Sequence, residues 1–143
     1  MGFKYLTDIC KILKKNKGGL LIIDYGYFAE LMKDTLQAIH KKKYSKILEN
    51  VGKSDITYNI NFLVLKKIAE KFEELDVNFT TQKIFLNNLG IQYRAEIISK
   101  NKTFTEKTDI FYRLKRLVDE KEMGNLFKVM FIKNNSNNFQ LGF

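Results

Sequence analysis

The order of hydrophobic and polar residues at the start of the chain predicts a helix followed by a buried strand. Apolar residues recur at helical spacing over residues 5–15, with lysines near the end, where the helix dipole favours positive charge. Gly18 and Gly19 interrupt this pattern, and residues 20–23 form an unbroken apolar run that ends at Asp24. Such a run is typical of a strand buried on both faces, as in a parallel sheet. We therefore expect neighbouring strands and covering helices around it, of which the remaining sequence supplies few.

The rest of the chain alternates between helical and strand patterns. Thr81 is placed to cap the start of a helix, and Gly90 to end it, because glycine readily adopts the left-handed conformation. The patterns predict a helix over 27–39, a basic loop over 41–46, a polar stretch over 50–59, a helix over 61–75, a short strand over 77–80, helices over 81–89, 91–100 and 108–121, a strand over 126–132 that Gly124 separates from the preceding helix, and an Asn-rich turn or frayed end over 133–138.

Length and composition narrow the class of protein. A chain of 143 residues, 45% of them hydrophobic, is long enough for one folded domain. The net charge of +9 comes mostly from dispersed lysines and the chain has no proline, which indicates a biased codon pool rather than a surface selected to bind nucleic acid. One cysteine and one histidine cannot build a zinc site or a disulfide framework. Without a membrane-spanning run or a signal-peptide pattern, we expect a cytoplasmic protein with no membrane partner.

Several short blocks occur in an order that is specific when they are taken together. They are Gly-Gly-Leu-Leu-Ile-Ile-Asp-Tyr-Gly-Tyr at 18–27, Asp-Thr-Leu-Gln-Ala at 34–38, Gly-Lys-Ser-Asp-Ile-Thr at 52–57 with Phe62, Thr-Gln at 81–82, Phe-Leu at 85–86, Leu-Gly-Ile at 89–91 with Arg94, and Met-Gly at 123–124 with Leu-Phe-Lys at 126–128. In these blocks the chain resembles the MidA-like family of S-adenosylmethionine-dependent methyltransferases. The resemblance covers nearly the whole chain but only the C-terminal half of the family's length.

The resemblance implies an α/β fold, the C-terminal half of a Rossmann-like class I methyltransferase with an incomplete sheet. Residues 20–24 would be the fifth strand, residues 77–80 the sixth and residues 126–132 the antiparallel seventh, so that residues 1–143 form a single partial domain. The helix over 61–75 would connect strands five and six. The sequence has no Gly-x-Gly turn of the kind that cradles a cofactor after a first strand. The resemblance thus implies S-adenosylmethionine as cofactor, bound by an N-terminal half of the fold that would be a partner of this chain.

Mitochondrial members of this family methylate a protein arginine during assembly of respiratory complex I, so the resemblance implies a protein substrate. It also implies a mitochondrial matrix location if the source is a eukaryote. Two family histidines are replaced, one by Lys42 and one, frequent in bacterial members, by Asn59. These departures put in doubt any proton-transfer or orienting role for the histidines.

The resemblance suggests two catalytic carboxylates and a set of substrate contacts. Asp24 follows a buried strand, where open α/β sheets place ligands, and alternatively caps a following helix. Asp55 could grip a guanidinium group together with Thr57, or could cap the helix begun at Asn61. The predicted catalytic residues are Asp24 and Asp55, and the predicted substrate-binding residues are Tyr25, Gly26, Gln37, Thr57 and Arg94, with Gln37 and Arg94 otherwise contacting a neighbouring loop.

Two other features have plain structural interpretations. The basic residues near His40, with Tyr44 beside them, could contact phosphate and stack on a base, although a solvated loop is the simpler interpretation. Cys10 falls on the apolar stripe of its helix and is expected to be a small core residue.

Two functional hypotheses remain open at this stage. In the first, the chain is part of an enzyme that transfers a methyl group to a protein arginine once an N-terminal half completes it. In the second, it is a non-catalytic remnant that acts as a small basic module binding protein or nucleic acid.

Overall fold

A computed structural model describes residues 2–140, 142 and 143 of the chain. The elements follow in the order α1 (Gly2–Asn16), β1 (Gly19–Tyr27), β2 (Gln37–His40), β3 (Lys43–Ser45), β4 (Asp55–Thr57), β5 (Ile60–Asn61), α2 (Phe62–Ala69), β6 (Leu75–Thr81), α3 (Gln82–Asn88), α4 (Ile91–Ser99), α5 (Phe104–Val118), α6 (Met123–Leu126) and β7 (Phe127–Asn134).

Four strands form a mixed sheet, the main sheet, in the order β5-β1-β7-β6. β7 runs antiparallel between β1 and β6, and Ile132 pairs with Leu20 on one side and Val77 on the other. β5 is parallel to β1 and pairs only with Gly26 and Tyr27. The prediction of an α/β fold with an incomplete sheet is confirmed, and β7 is antiparallel to its neighbours, as predicted for residues 126–132.

The hydrophobic core cluster lies between one face of the main sheet and the helices α1 and α2. Leu6, Cys10 and Leu13 face this core because they recur at helical spacing on α1. Phe62 at the start of α2 and Met130 on β7 are fully buried against them. Cys10 is a core residue as expected, and burial raises the pKa of its thiol.

The prediction that β1 is buried on both faces is wrong. Leu21 and Ile23 are 46% and 47% exposed, while their neighbours Leu20 and Ile22 pack against the core. Residues 20–23 are apolar on both faces of the strand, so polar and apolar residues do not alternate along it. The sequence therefore did not indicate that only one face is buried. Among the described residues no strand pairs with residues 19–25 on the side away from β7, so this part of β1 is an open edge.

The predicted helix over residues 27–39 is also wrong. β1 continues to Tyr27, residues 28–36 are irregular, and β2 begins at Gln37. The hydroxyl of Tyr27 accepts the backbone N–H of Lys33 at 3.0 Å, which holds the segment in this irregular path. Leu31, one of the residues whose spacing looked helical, is mostly exposed, and a short helix without a buried face is marginal in water.

The basic loop and the polar stretch contain three short strands, which form a second sheet in the order β3-β2-β4, the small sheet. Residues 41–46 are a tight turn followed by β3, and residues 50–59 contain β4. Lys41 and Lys42 form the turn with φ angles of 48° and 64°. The usual hairpin signal, Asn-Gly or Asp-Gly, is absent here, so the sequence did not indicate the hairpin.

Helix boundaries follow the capping residues. Thr81 caps α3 by accepting the N–H of Ile84 at 3.4 Å, and Gly90 has a φ of 78°, as predicted. Three elements have boundaries other than those predicted: α2 ends at Ala69, β6 spans Leu75–Thr81, and α5 spans Phe104–Val118. A capping box of Thr103 and Glu106 begins α5. The Thr103 backbone N–H, followed by the Lys102 side chain, lowers the pKa of Glu106 to about 2.

The C-terminal strand is longer than predicted and a further helix precedes it. α6, which contains Gly124, lies between α5 and β7. β7 continues through Lys133 and Asn134, both buried, so these residues belong to the main sheet and not to a frayed end. The Asn134 side chain donates to the carbonyl of Lys14 at 3.1 Å, which ties the end of the strand to α1.

Candidate functional site

A polar hollow of about 480 Å³ lies beside the C-terminal end of β1, between the small sheet and α6. Tyr25, near the end of β1, and Leu126, the last residue of α6, form two of its walls. The hollow is lined by Tyr25, Gln37, Ile39, Tyr44, Asp55, Thr57, Asn59 and Leu126. Four of the residues predicted from the resemblance are therefore brought together: Tyr25, Gln37, Asp55 and Thr57.

The pairing of the small sheet explains why its residues converge. Directly opposed residues of antiparallel strands lie on the same face, and Gln37 pairs with Thr57 while Ile39 pairs with both Asp55 and Tyr44. Alternate residues share a face, so all five side chains project from one side of the sheet. This side forms the floor of the hollow.

Two polar residues on that floor are already joined and a third is free. The amide of Gln37 donates to the Thr57 hydroxyl at 3.0 Å. Within the described residues the Asp55 carboxylate has no hydrogen-bond or ion-pair partner, and the side chain is exposed. Asp55 does not cap the following helix, because Asn61 does so with its own side chain, which accepts the N–H of Leu63 at 3.1 Å. The helix-capping alternative for Asp55 is thus excluded.

Tyr25 links the hollow to the main sheet. Its ring packs against Phe127 on the adjacent strand, with ring centroids 4.7 Å apart. Tyr25 also lines a smaller depression of about 220 Å³, together with Asp24, Ile56, Thr57, Tyr58 and Ile60. The hollow and the depression therefore share Tyr25 and Thr57, and Asp24 lies in the depression rather than in the hollow.

Asp24 is held at the open edge of β1. Its carboxylate accepts the backbone N–H of Tyr25 at 2.8 Å. The alternative that Asp24 caps a helix is excluded because the chain remains extended through Tyr27 and then becomes irregular. Lys128 lies opposite Asp24 on β7, and its pKa is lowered, mainly by burial and also by Lys33.

Gly26 and Arg94 have surroundings different from those expected. Gly26 lies in extended β1 and makes no turn; a Cβ atom there would lie 2.5 Å from the Ile60 carbonyl oxygen, so close backbone approach of β5 requires glycine. Arg94 lies on α4 and lines a separate groove with Asp109 and Arg113 of α5. The structure does not bring Arg94 to the hollow.

Four lining residues were absent from the predicted substrate contacts: Ile39, Tyr44, Asn59 and Leu126. Alternation along β2 and β4 would have indicated Ile39, since Gln37 and Ile39 share a face, if the strand had been recognised. Tyr44 had drawn attention only as a base-stacking residue. Asn59 fixes the loop below the hollow because its backbone N–H donates to the Thr35 hydroxyl at 3.0 Å.

The described residues do not fit a bound nucleotide-type cofactor on their own. The sequence has no Gly-x-Gly turn, and the space around Gly26, which follows the apolar run of β1, is filled by Ile60 and the Phe62 ring. No group of three His, Cys, Asp or Glu side chains within residues 2–140 and 142–143 could hold a metal ion. In the same part of the chain, no helix is long and apolar enough to cross a membrane.

A family model described as "Putative S-adenosyl-L-methionine-dependent methyltransferase" matches residues 2–81. Curated relatives include the protein arginine methyltransferase NDUFAF7, mitochondrial, of Danio rerio, 25% identical over 122 residues, which are 85% of this chain and 28% of the relative. The Xenopus tropicalis protein of the same name is 28% identical over 112 residues, 78% of this chain and 26% of the relative. The chain thus spans about a quarter of the length of these relatives.

Two crystal structures from Burkholderia thailandensis share the fold. One, described as a "likely methyl transferase" bound to S-adenosyl-homocysteine, has a TM-score of 0.80 at 21% identity and covers 99% of this chain and 38% of that chain. The other, a native structure, has a TM-score of 0.79 at 23% identity, and the match covers 98% of this chain and 38% of that chain. The resemblance to MidA-like methyltransferases is confirmed. The family model matches more than half of the 143 residues of this chain. The chain therefore belongs to this family of S-adenosyl-L-methionine-dependent methyltransferases.

Proposed function

We propose that the chain forms the substrate-binding part of a protein arginine methyltransferase, with Asp55 as the carboxylate that grips the guanidinium group. The observation that carries the proposal is the unpaired Asp55 carboxylate on the floor of the hollow, next to the joined Gln37–Thr57 pair and across Ile39 from Tyr44. A carboxylate binds a guanidinium through two parallel hydrogen bonds, and an aromatic face adds cation–π attraction. Asp55 and the aromatic residues Tyr25 and Tyr44 all line the hollow.

Methyl transfer to arginine depends mainly on orientation. The cofactor, when bound, supplies the methyl group on a positively charged sulfur. The residues of this chain would hold the attacking nitrogen in line with that methyl group, which lowers the entropic cost of the reaction. A carboxylate at Asp55 would also withdraw positive charge from the guanidinium. We propose that Asp24 is the second carboxylate at the same end of the sheet, across Tyr25 and Thr57 from the hollow.

We further propose that S-adenosylmethionine binds mainly to a polypeptide segment that pairs with the open edge of β1. Among the described residues, residues 19–25 of β1 have no neighbouring strand on the side away from β7, and the exposed Leu21 and Ile23 lie on this edge. The Burkholderia relatives extend over far more chain than is matched here. A parallel strand from such a segment would pair with the open edge of β1 and cover Leu21 and Ile23. We propose a cytoplasmic location, or the mitochondrial matrix if the source is a eukaryote.

The test compares Asp55→Asn with Asp76→Asn, a substitution of another exposed carboxylate, on β6. Binding of an arginine peptide and of the same peptide with citrulline is followed by NMR of the 143-residue chain. We expect Asp55→Asn to abolish the preference for arginine and Asp76→Asn to leave it unchanged, because only the first carboxylate faces the hollow.

The same variants then enter an assembly supplied with the cofactor-binding portion of a relative. There, we expect Asp55→Asn to slow methyl transfer by at least about tenfold, or 1.4 kcal/mol in the barrier. Arginine preference and transfer rates equal to those of the parent would contradict the proposal. That result would favour the hypothesis of a non-catalytic interaction module.

A further inference from the structure

The most concentrated positive charge near the hollow lies at the turn of the β2–β3 hairpin. Lys41, Lys42 and Lys43, here called the lysine tip, are consecutive and exposed. None of them forms an ion pair within the described part of the chain, whereas Lys11 and Lys14 of α1 and both lysines of α2 do. The positive charge of the tip is therefore available to a partner.

The backbone of the tip holds two of these lysines in an unfavourable conformation. Lys41 and Lys42 have φ angles of 48° and 64°, a region that glycine and asparagine enter more readily than a residue with a long side chain. His40 pairs with Lys43 across the turn, and this strand pairing holds Lys41 and Lys42 in the unfavourable conformation. Strained backbone of this kind clusters at ligand-binding positions, where the side chains it presents matter more than local stability.

The lysine tip and the hollow belong to the same hairpin. The Ile39–Tyr44 pair lines the hollow, and only the His40–Lys43 pair separates it from the turn. At about 3.3 Å per residue, the tip lies roughly 7 Å along the hairpin from this wall of the hollow. An extended peptide rises by a similar amount, so a side chain two or three positions from a residue held in the hollow reaches the tip.

We propose that the lysine tip binds acidic residues two or three positions from the target arginine, so that the substrate is an arginine in an acidic protein segment. This inference rests on the proposed arginine site and adds the determinant of its specificity. Charge complementarity favours a protein segment over a nucleic acid: the lysines are grouped at one turn, with Tyr44 as the one aromatic ring on the hairpin, whereas single-stranded nucleic acids follow an extended basic groove with successive stacking rings.

The test measures binding of labelled peptides to the full chain by fluorescence anisotropy at low salt. An acidic peptide carries arginine with Asp and Glu at the second and third positions on either side. A neutral peptide has Asn and Gln there, and a third peptide keeps the acidic residues but replaces arginine with alanine. The variant Lys41→Glu/Lys42→Glu is compared with Lys115→Glu/Lys121→Glu, which makes the same change in net charge at exposed positions near the end of α5.

We expect Lys41→Glu/Lys42→Glu to weaken binding of both acidic peptides at least about tenfold and to leave the neutral peptide within about twofold. The dissociation constants of Lys115→Glu/Lys121→Glu for all three peptides should stay within about twofold of those of the parent chain. An equal loss in the two variants, equal binding of acidic and neutral peptides, a dissociation constant above about 1 mM for the acidic peptides, or tighter binding of an oligouridylate would overturn the inference.

Failure of the arginine site gives a different result. The acidic alanine peptide has no guanidinium, so its dependence on the lysine tip does not involve Asp55. If Asp55→Asn leaves the preference for arginine over alanine unchanged, the proposed arginine site is contradicted. If Lys41→Glu/Lys42→Glu leaves the acidic alanine peptide unaffected, the lysine tip is contradicted, whatever the result at Asp55.

Discussion

The main sheet and the small sheet differ in how much hydrophobic surface they bury. On the main sheet, Met130 and Ile132 are inaccessible to solvent and pack with Phe62 and the two helices beside them. On the small sheet, Ala38 is the buried residue of the three strands, and the other strand residues are half-buried or exposed. Hydrophobic burial therefore stabilises the main sheet, whereas the small sheet depends on its backbone pairing and on its attachment to β1 and β5.

This difference explains where the candidate site lies. Polar side chains that are not needed in a core remain free to meet a ligand, and Asp55 and the Gln37–Thr57 pair are such groups. The main sheet contributes Tyr25, which its packing against Phe127 holds in place. A rigid support beside a lightly packed binding surface is a common division in proteins, because regions of low local stability adapt to ligands.

The largest expected effect tests the division of burial between the two sheets. Phe62→Ala removes a side chain with 0% exposure from the core of the main sheet, whereas Leu48→Ala removes one that is 83% exposed beside the small sheet. We expect the first substitution to lower the free energy of unfolding by about 3–5 kcal/mol and the second by under about 0.5 kcal/mol. Urea unfolding followed by circular dichroism measures both. Equal losses would contradict the view that one core stabilises the chain.

A second prediction concerns the part of the main sheet that resembles the small sheet in its exposure. Leu21 and Ile23 lie on the open edge of β1, and exposed apolar edge strands pair with other chains. We expect the chain to self-associate and Ile23→Lys to raise the dissociation constant at least about tenfold, or 1.4 kcal/mol, because a charged edge residue opposes pairing. Analytical ultracentrifugation is the measurement, with Tyr93→Lys on exposed α4 as the control.

The prediction that the open edge of β1 mediates self-association would be contradicted if the parent chain stayed monomeric up to about 100 μM. It would also be contradicted if Tyr93→Lys weakened self-association as much as Ile23→Lys. The result bears on the proposed partner as well. The same surface would pair with the cofactor-binding segment, so Ile23→Lys should also impair that assembly.

The sequence predicted the main sheet better than the small sheet, for a local reason. Thr81 and Gly90 mark helix ends through chemistry that involves only nearby residues, and the structure confirms both. The residues from Tyr27 to β2 carry apolar side chains at helical spacing, although no helix packs there. Residues 37–40 form a strand because Ile39 pairs with Asp55 and Tyr44. The Lys41–Lys42 turn lacks the residues that usually indicate a hairpin, so the sequence did not predict this pairing.

The candidate site was predicted in part because the resemblance identified residues but not their positions in space. Gln37 and Thr57 are 20 residues apart and meet through a hydrogen bond of the small sheet. Arg94 belongs to the same set of blocks, yet it lies in a different groove, on α4. The roles of these residues stay predictions, since position in the hollow depends on strand register that no local pattern specifies.

The smallest expected effect tests the strain in the small sheet. Lys42→Gly removes a side chain from a residue with a φ of 64°, where glycine pays no steric cost, while Lys43→Gly places glycine in a strand with ordinary dihedral angles. Both variants lose one lysine of the tip, so they are matched in charge. We expect Lys42→Gly to stabilise the small sheet by about 0.5 kcal/mol and Lys43→Gly to destabilise it by about 0.5–1 kcal/mol. Hydrogen exchange of the Ala38 and Ser45 amides reports on this sheet without requiring global unfolding, and it should slow about twofold in the first variant and quicken in the second. Faster exchange in both variants would mean that the turn is not strained, and the lysine tip would then lose one of the observations that support it.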